Sequence, residues 1–363
     1  IPARIQAQRL QPPLLCSGTM LSLSLGVVAA LAPLAAAWVD HGHMLTAAVA
    51  ARYAPPGMEA ALSRLLGAEP EFVNFTDFPG AAVWMDHIKC SAAEVAARKA
   101  WCRGLATALG SHQLDFFHFF QWPYAPEKTT GDQEPPTYQG NPVDELHQAI
   151  GALFAGAGSR FMWSFNVRLL LHVVGDLHQP LHVSSYRNKT LFADPVRNPE
   201  GDDLGGNLIH ISGNYSNLGP SLHQVWDFAG GDFMDSWPVD RAVLDGAADG
   251  LVAEHPPQRF VDAGRLNASW SQGTDCGAGA IAQLLRDAVR DTRRMVPWAY
   301  AEFLGRLASA GRFSRAKPEY SPSPEYVQFV RHTARSQIAL GGYRLSHVMR
   351  CLDPRMPGEV LFA

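Results

Sequence analysis

One stretch of the chain, Leu171–His182, places a histidine and an aspartate one helical turn apart within an apolar run. His172 and Asp176 are four residues apart, so a helix projects both side chains from one face. Pro180 interrupts the helix and lets His182 turn back toward the same side. The stretch therefore predicts a helix that carries a candidate metal site at its end.

A second His-x-x-x-Asp pair occurs at His223 and Asp227. Imidazole and carboxylate groups one turn apart are a common way for helices to bind zinc. A single pair is more often a surface ion pair or a helix cap than a metal site. Two such pairs, together with His182, are equally compatible with a metal site and with those alternatives.

The bulk composition limits the class of protein. The 363 residues allow one large domain or two ordinary ones, and the 47% hydrophobic content indicates a globular chain with a core. Removing residues 1–37 takes away only Arg4 and Arg9, which lowers the formal net charge from -4 by two, to -6. Such a chain has no basic surface for holding nucleic acid by counterion release. A phosphodiester substrate would therefore need metal ions or a few local basic residues.

An apolar core followed by small residues, typical of a signal peptide, spans Met20–Ala37. Ala35 and Ala37 fit the A-x-A pattern of a cleavage site. The apolar part is short for a membrane span, which is the alternative. We therefore expect residues 1–37 to be an upstream extension and signal peptide, and residues 38–363 to be the mature domain. The sequence leaves open whether residues 1–19 belong to the natural product.

Two further patterns are consistent with export. Acceptor sequons for N-glycosylation occur at Asn74, Asn188, Asn214 and Asn267. The cysteines that follow residue 37 are Cys90, Cys102, Cys276 and Cys351. Their even number indicates disulfides with three possible pairings, of which Cys90–Cys102 closes the easiest local loop. We expect a monomeric, secreted glycoprotein, or one held in the lumen of a secretory or lytic compartment, without a stable membrane anchor.

Two segments near the start of the mature chain contain further candidate ligands. Cleavage after Ala37 would give Trp38 a free α-amine with a pKa of about 7.7–8.0, which a metal can deprotonate. The amine and carbonyl of Trp38 could then chelate a metal with His43; the alternative is an ordinary N-terminus with an exposed Trp. Asp86 lies in an apolar helical segment and needs a partner, either a metal or Lys89 at i+3.

His118 lies among five aromatic residues in the segment Leu114–Pro123. It is either a core histidine bonded to a carbonyl, or a metal ligand beside a platform on which a base can stack. The segment Tyr124–Asn141, rich in proline and polar residues, predicts a surface loop. Alternation in Leu208–Asn214 predicts a short strand or hairpin, after a Gly-Gly-Asn turn that lacks the spacing of a phosphate loop.

The rest of the chain has helical spacing. Helices are predicted at about Cys90–Leu109, Val143–Ala155, Val239–Glu254, Gly279–Arg294, Val296–Ala310 and Pro324–Leu352. The last four carry no His–Asp pair, and we expect them to pack against the core. No linker divides the chain. We therefore predict a single, mainly α domain with a short β-hairpin.

The candidate residues form an ordered series of motifs. In chain order these are Trp38, Gly42-His43, Trp84-x-Asp86-x-x-Lys89, His118-Phe119 with Pro123, His172-x3-Asp176-x5-His182, Asp203-x-Gly205-Gly206-Asn207, Leu222-His223-x-x-Trp226-Asp227 and Gly342-Tyr343-Arg344-Leu345. In order and spacing they resemble the single-strand-specific trinuclear zinc nucleases, the nuclease P(1)/S(1) family, over essentially the whole mature chain. The resemblance implies a helical fold of the phospholipase C / zinc nuclease type.

The resemblance also implies three zinc ions and their ligands. It implies that one zinc is bound by Asp86, His118, His172 and Asp176. A second takes the terminal amine and carbonyl of Trp38 with His43, and shares Asp176. The third takes His182, His223 and Asp227.

By the same resemblance, the protein would be an endonuclease that hydrolyses single-stranded DNA and RNA, and 3′-nucleotides, to 5′-phosphorylated products through a metal-activated water. The catalytic residues would be Asp86, Lys89 and Asp176. The substrate-binding residues would be Lys89, Phe119 and Asn207. Three positions depart from the family pattern. Val39 stands where the family commonly has Gly, and Ser221 stands where it commonly has Asn. Gln121 stands where an Asp that contacts the base is usual. The base preference is therefore left open.

Two alternatives remain. A zinc-dependent phospholipase C shares this metal architecture, although Asp227 after Trp226, in place of a glutamate, favours the nuclease. The other alternative is a catalytically inactive secreted glycoprotein that its metals stabilise. The presence of all nine candidate ligands disfavours it.

Overall fold

The structure, a computed structural model, describes residues 38–68, 72, 74–89, 114–126, 142–156, 158–194, 198–309 and 319–352. These residues belong to one compact unit, Ala35–Ala363. The predicted extension and signal peptide at 1–37, the helix predicted at Cys90–Leu109, the Cys90–Cys102 pairing and most of the loop predicted at Tyr124–Asn141 lie outside the described residues.

The described part of the chain is mainly helical with only short strands, which confirms the predicted fold class. Its α-helices are α1 (Asp40–Tyr53), α2 (Met58–Gly67), α3 (Phe78–Ala81), α4 (Trp84–His87), α5 (Pro142–Phe154), α6 (Arg160–Asp176), α7 (Pro180–Val183), α8 (Lys189–Phe192), α9 (Leu222–Asp227), α10 (Arg241–Glu254), α11 (Pro257–Asp262), α12 (Ala278–Arg293), α13 (Val296–Ser309) and α14 (Pro324–Leu352). The 3-10 helices are Asp115–His118, Gly213–Leu218 and Ala229–Gly231, and the strands are β1 (Trp122–Tyr124), β2 (Ser184–Tyr186), β3 (His210–Ile211) and β4 (Glu319–Tyr320).

Helix α6 forms the apolar centre of the fold. It begins after Ser159, whose hydroxyl accepts a hydrogen bond from the backbone N–H of Met162 and so caps the helix. It ends at Asp176, before Pro180, and the intervening Gln179 has the extended backbone that a residue before proline prefers. Its residues from Asn166 to Asp176 are buried, so the helix delivers its polar side chains into a dry interior.

Helices α1 and α14 pack closely against each other and against α6. Helix α1 is rich in alanine and is buried from His41 to Ala50. A Cβ atom on Gly342 of α14 would lie 2.5 Å from the Cβ of Val49, so only glycine allows this approach. The small side chains of the two helices therefore bring the start of α1 to the end of α6.

The strand prediction at Leu208–Asn214 is right about a strand and wrong about its partner. Strand β3 pairs in parallel with the distant β4, and the expected antiparallel return is reduced to one bridge between His210 and Ser221. Gly213, with a φ of 77°, starts a 3-10 helix directly after β3 and so ends the strand after two residues. The local antiparallel return is therefore limited to two backbone hydrogen bonds, from the N–H of Ile211 to the carbonyl oxygen of Pro220 and from the N–H of Leu222 to that of Ile209.

Strands β1 and β2 also pair in parallel, with Trp122 opposite Ser184 and Tyr124 opposite Tyr186. This pairing holds the aromatic segment around His118 next to α7, which carries His182. No helix in the described part of the chain combines the length and the apolar character needed to span a bilayer.

One disulfide joins Cys276 to Cys351, at the end of α14, across 75 residues. Replacing both cysteines, as Cys276→Ser with Cys351→Ala, should lower the free energy of unfolding by about 2–4 kcal/mol, because the cross-link restricts the unfolded chain. Denaturant titration followed by circular dichroism measures this, and non-reducing peptide mapping should show the linked pair. Free thiols at both positions, or an unchanged unfolding midpoint, would contradict the assignment.

Candidate metal centre

The end of α6 presents His172 and Asp176 as the spacing predicts. Both side chains are fully buried, with His172 Nε2 3.5 Å from Asp176 Oδ2. The Nδ1 of His172 lies 2.6 Å from the carbonyl oxygen of Ala82, to which it donates in the neutral imidazole. The lone pair of Nε2 is therefore directed at the carboxylate side, where a cation can accept it.

His118 joins this pair from the last position of a 3-10 helix. Its Nδ1 lies 3.2 Å from Asp176 Oδ2 and 2.9 Å from His172 Nε2. Asp86 adds a second carboxylate from α4, with oxygens 3.8 Å from each imidazole nitrogen. One ligand atom each from His118, His172 and Asp176 lies within 4.8 Å of the others, and Asp86 groups in the same way with His172 and His43. Asp86 therefore lies close enough to join the first group around a zinc ion.

Lys89 bonds to Asp86, with 2.9 Å between Nζ and Oδ1. The two readings of Asp86, as an ion-pair partner and as a candidate ligand, therefore coexist. Oδ1 accepts from the ammonium group, whereas the buried Oδ2 has no hydrogen-bond partner among the described residues.

His43 reaches Asp176 from the other side. Its Nε2 lies 3.3 Å from Asp176 Oδ1, and its ring stacks on that of His172 with 3.9 Å between centroids. Gly175 makes room for this ring, since a Cβ atom there would lie 2.6 Å from His43 Nδ1. Asp176 is thus flanked by His43 at one oxygen and by His118 and His172 at the other, the geometry of a carboxylate that can bridge two ions.

Trp38 lies fully buried at the entry to α1. Its indole Nε1 donates to the carbonyl oxygen of Gly175 over 3.0 Å, and the next backbone N–H, of Val39, donates to the carbonyl oxygen of Asp227 over 3.1 Å. The backbone of residue 38 is therefore fixed between the end of α6 and the end of α9. This corrects the alternative of an exposed Trp.

His182, His223 and Asp227 form a neighbouring cluster, in which Asp227 oxygens lie 3.8 Å and 3.5 Å from the two Nε2 atoms. Each Nδ1 faces a carbonyl oxygen, that of His118 at 2.7 Å from His182 and that of Gly205 at 2.6 Å from His223. With these bonds formed, both Nε2 atoms carry lone pairs, yet they lie only 3.0 Å apart. Two facing lone pairs repel each other. A cation bound between the two nitrogens would instead be coordinated by both. The donor set therefore fits a metal ion.

A tight glycine turn supports His223. Gly205 has a φ of 62°, and a Cβ atom there would lie 2.3 Å from the carbonyl oxygen of Leu181. Asp203 anchors the turn by accepting a hydrogen bond from the backbone N–H of Tyr186 over 2.9 Å. The Gly-Gly-Asn turn therefore packs its backbone tightly beside the candidate site.

Gln179, which the sequence did not single out, orients Asp227. Its Nε2 donates to Asp227 Oδ1 over 2.7 Å, while its Oε1 accepts from the backbone N–H of Leu181. The side chain is fully buried. The sequence shows only a polar residue directly before Pro180 in an apolar stretch, and this pattern by itself does not identify a role.

The electrostatics of the centre require a compensating charge. Burial raises the pKa of the Asp176 and Asp227 carboxyl groups well above their usual value. Burial also lowers the pKa of the imidazoles, well below the usual value for His43, His118 and His182, and to about 3 for His172. The histidines are therefore neutral and can donate a lone pair to a metal. A divalent cation would stabilise the ionised carboxylates beside them.

The three residues expected to bind substrate lie in different environments. Lys89 is engaged by Asp86, as described. Phe119 is half-buried and stacks on His182 with 4.6 Å between centroids, at the edge of the metal centre. Asn207 donates to the carbonyl oxygen of Leu204 over 2.8 Å and accepts from Ser221, so it borders the start of α9.

Comparison with known proteins agrees with this geometry. A family model described as S1/P1 Nuclease matches residues 38–352, and no match was found among the curated proteins. The matched region begins at Trp38 and contains all the candidate ligands, and it covers most of the chain. The protein belongs to the S1/P1 nuclease family, whose members are zinc-dependent nucleases that hydrolyse phosphodiester bonds.

Proposed function

We propose that residues 38–363 form a zinc-dependent endonuclease that hydrolyses single-stranded DNA and RNA to 5′-phosphorylated products, and 3′-nucleotides to nucleosides and inorganic phosphate. The observation that carries the proposal is the pair of facing lone pairs on His182 and His223, beside the group centred on Asp176. Without metal ions the facing lone pairs would repel each other, whereas with metal ions they would act as ligands. Membership of the nuclease family supplies the class of reaction.

We infer that the chain holds three zinc ions. Asp86, His118, His172 and Asp176 would hold the first. Asp176, His43 and the amine and carbonyl of a processed Trp38 would hold the second. His182, His223 and Asp227 would hold the third.

Bound zinc would supply Lewis acidity, which makes water a nucleophile at neutral pH and neutralises charge on phosphate oxygens. The protein's own groups position the reactants. Asp176, held between the imidazoles of His43 and His118, would keep the first two ion sites adjacent. Lys89, steadied by Asp86, would donate hydrogen bonds to the phosphate through the protons that the carboxylate leaves free.

Phe119 gives a physical basis for a preference for single strands. Its ring stacks on His182 and is partly exposed, so a base could stack on the exposed part of the ring. Stacking on an aromatic ring tolerates any base, but it requires that the base is not already stacked inside a duplex. A single strand meets this condition, whereas a double helix must first be opened.

Processing and export complete the proposal. A free amine at Trp38 requires removal of residues 1–37, which fits a signal peptide cleaved after Ala37. The disulfide between Cys276 and Cys351 supports an oxidising compartment. The exposed sequons at Asn214 and Asn267 would be accessible to glycosylation. We propose a secreted or luminal monomer without a membrane anchor.

The test of the proposal is a substrate panel on the mature protein. We expect hydrolysis of denatured DNA, RNA and 3′-AMP, slower hydrolysis of duplex DNA, and 5′-phosphate ends on the fragments by mass spectrometry. Removal of zinc by a chelator should abolish activity and added zinc should restore it. Cleavage of phosphatidylcholine alone would instead indicate a phospholipase C. Inactivity on every substrate with zinc bound would indicate an inactive, metal-stabilised protein.

A second prediction concerns the N-terminus. Adding one alanine before Trp38 should lower turnover by at least about 100-fold, because a peptide nitrogen cannot replace the terminal amine as a ligand. The zinc content should fall by one ion per chain, measured by elemental mass spectrometry, with the helical circular dichroism retained. One alanine added after residue 363 is the matched control. Unchanged turnover and zinc content would exclude the amine from the site.

A third prediction concerns Phe119. The Phe119→Leu variant should raise KM for single-stranded DNA by roughly 5- to 150-fold, since stacking contributes about 1–3 kcal/mol per base. We expect kcat and zinc content to change little, and Phe119→Tyr to preserve KM. Steady-state kinetics on a defined oligonucleotide measure both constants. Equal KM values for Phe119→Leu and the unaltered protein would show that the ring does not bind a base.

A further inference from the structure

A group of potential ligands lies outside the metal centre, where α10 meets α14. Glu254 is the last residue of α10, His255 follows it as the C-cap, and His332 lies on α14. One ligand atom from each residue lies within 4.8 Å of the others. The group shares no residue with the metal centre.

We propose that Glu254, His255 and His332 form a further divalent-cation site, at the protein surface. Its chemistry, two imidazoles and one carboxylate, suits zinc, copper or nickel, and not magnesium or calcium, which prefer oxygen ligands. Two features support this site, which is independent of the nuclease activity: the mutual distances of the three side chains, and the burial of His255, whose ring nitrogens form no hydrogen bond among the described residues although Nε2 faces the Glu254 carboxylate at 3.1 Å.

The distances fit a small ion. Glu254 Oε1 lies 3.1 Å from His255 Nε2 and 3.8 Å from His332 Nδ1. Ligand atoms at zinc–nitrogen distances of 2.0–2.1 Å in a tetrahedral site are about 3.3 Å apart. His332 has a side chain that is 59% exposed, so a small rotamer adjustment can bring its nitrogen closer. The separations are similar to those in the metal centre.

The environment of His255 supports the site independently of these distances. Its side chain is fully buried, and neither ring nitrogen forms a hydrogen bond in the described part of the chain. Leaving buried polar atoms unsatisfied is unfavourable, and core histidines ordinarily bond to a carbonyl. The backbone carbonyl oxygen of His255 accepts from the Tyr343 hydroxyl over 2.8 Å, which fixes the residue in place.

Arg335 orients the carboxylate. Its guanidinium bonds to Oε2 of Glu254, with Nε 2.8 Å and Nη2 2.6 Å away, and leaves Oε1 facing the two imidazoles. Carboxylates that bind a metal are usually held by a hydrogen-bond donor in this way. The positive charge of Arg335 also opposes a cation, so we expect weaker binding here than at the metal centre. With three protein ligands and an exposed side, water would fill the fourth position.

A bound ion would link the end of α10 to α14. Since α14 packs on α1, which carries His43, this link would stabilise the helices around the metal centre without contacting substrate. We therefore expect the site to affect stability and zinc stoichiometry, and not the basal rate of hydrolysis.

The test measures zinc binding by the mature, zinc-loaded protein. In equilibrium dialysis against free zinc from about 1 µM to about 100 µM, the unaltered protein should take up one more ion per chain than His332→Ala. Affinity for this ion should fall at least about tenfold in His332→Ala and in Glu254→Gln. Added zinc should raise the melting temperature of the unaltered protein more than that of either variant.

His147→Ala is the matched control, since His147 is an exposed histidine on α5 that belongs to no candidate ligand group among the described residues. It should bind zinc as the unaltered protein does. All variants should keep the helical circular dichroism and the basal activity, because His332 lies at the surface. Equal zinc uptake by the unaltered protein and His332→Ala over the whole range would overturn the proposal.

Discussion

The structure depends on one electrostatic constraint, the burial of carboxylates and imidazoles where water cannot solvate them. Asp176 and Asp227 are essentially inaccessible, and burial, reinforced by the nearby Asp86 carboxylate, raises their pKa values well above the usual range. A protein core accepts such groups only if they are paired, hydrogen-bonded or bound to a metal. The neutral imidazoles around them cannot provide the missing charge. Bound cations would therefore stabilise this arrangement of buried carboxylates and imidazoles.

The protein positions the donor atoms through hydrogen bonds from outside the centre. Three carbonyl oxygens, those of Ala82, His118 and Gly205, each face the Nδ1 of an imidazole and so direct its Nε2 into the centre. Gln179 similarly holds one oxygen of Asp227. These partners come from four separate segments, so the metal centre ties together parts of the chain that are distant in sequence. Fixing each tautomer in advance lowers the entropic cost of binding metal.

The sequence predicted what depends on local spacing and missed what depends on tertiary partners. The i, i+4 rule placed His172 with Asp176 correctly, because one helix carries both. The strand β3 was predictable as a strand, but its partner β4 lies more than a hundred residues away and no local pattern points to it. The group of Glu254, His255 and His332 was missed for the same reason, since α14 supplies its third member. Motif order identified the candidate ligands on separate segments only because a known family provides the template.

The same constraint explains how an acidic protein can act on a polyanion. Within the metal centre the carboxylates of Asp86, Asp176 and Asp227 outnumber the single ammonium of Lys89, which is itself bound to Asp86. Without metal ions this surface would repel phosphate. Bound zinc reverses the sign of the local charge, so substrate attraction and phosphodiester activation would come from the same ions. Loss of metal should therefore weaken substrate binding as well as catalysis, which distinguishes this centre from one in which basic side chains bind the phosphate and the metal serves only the chemical step.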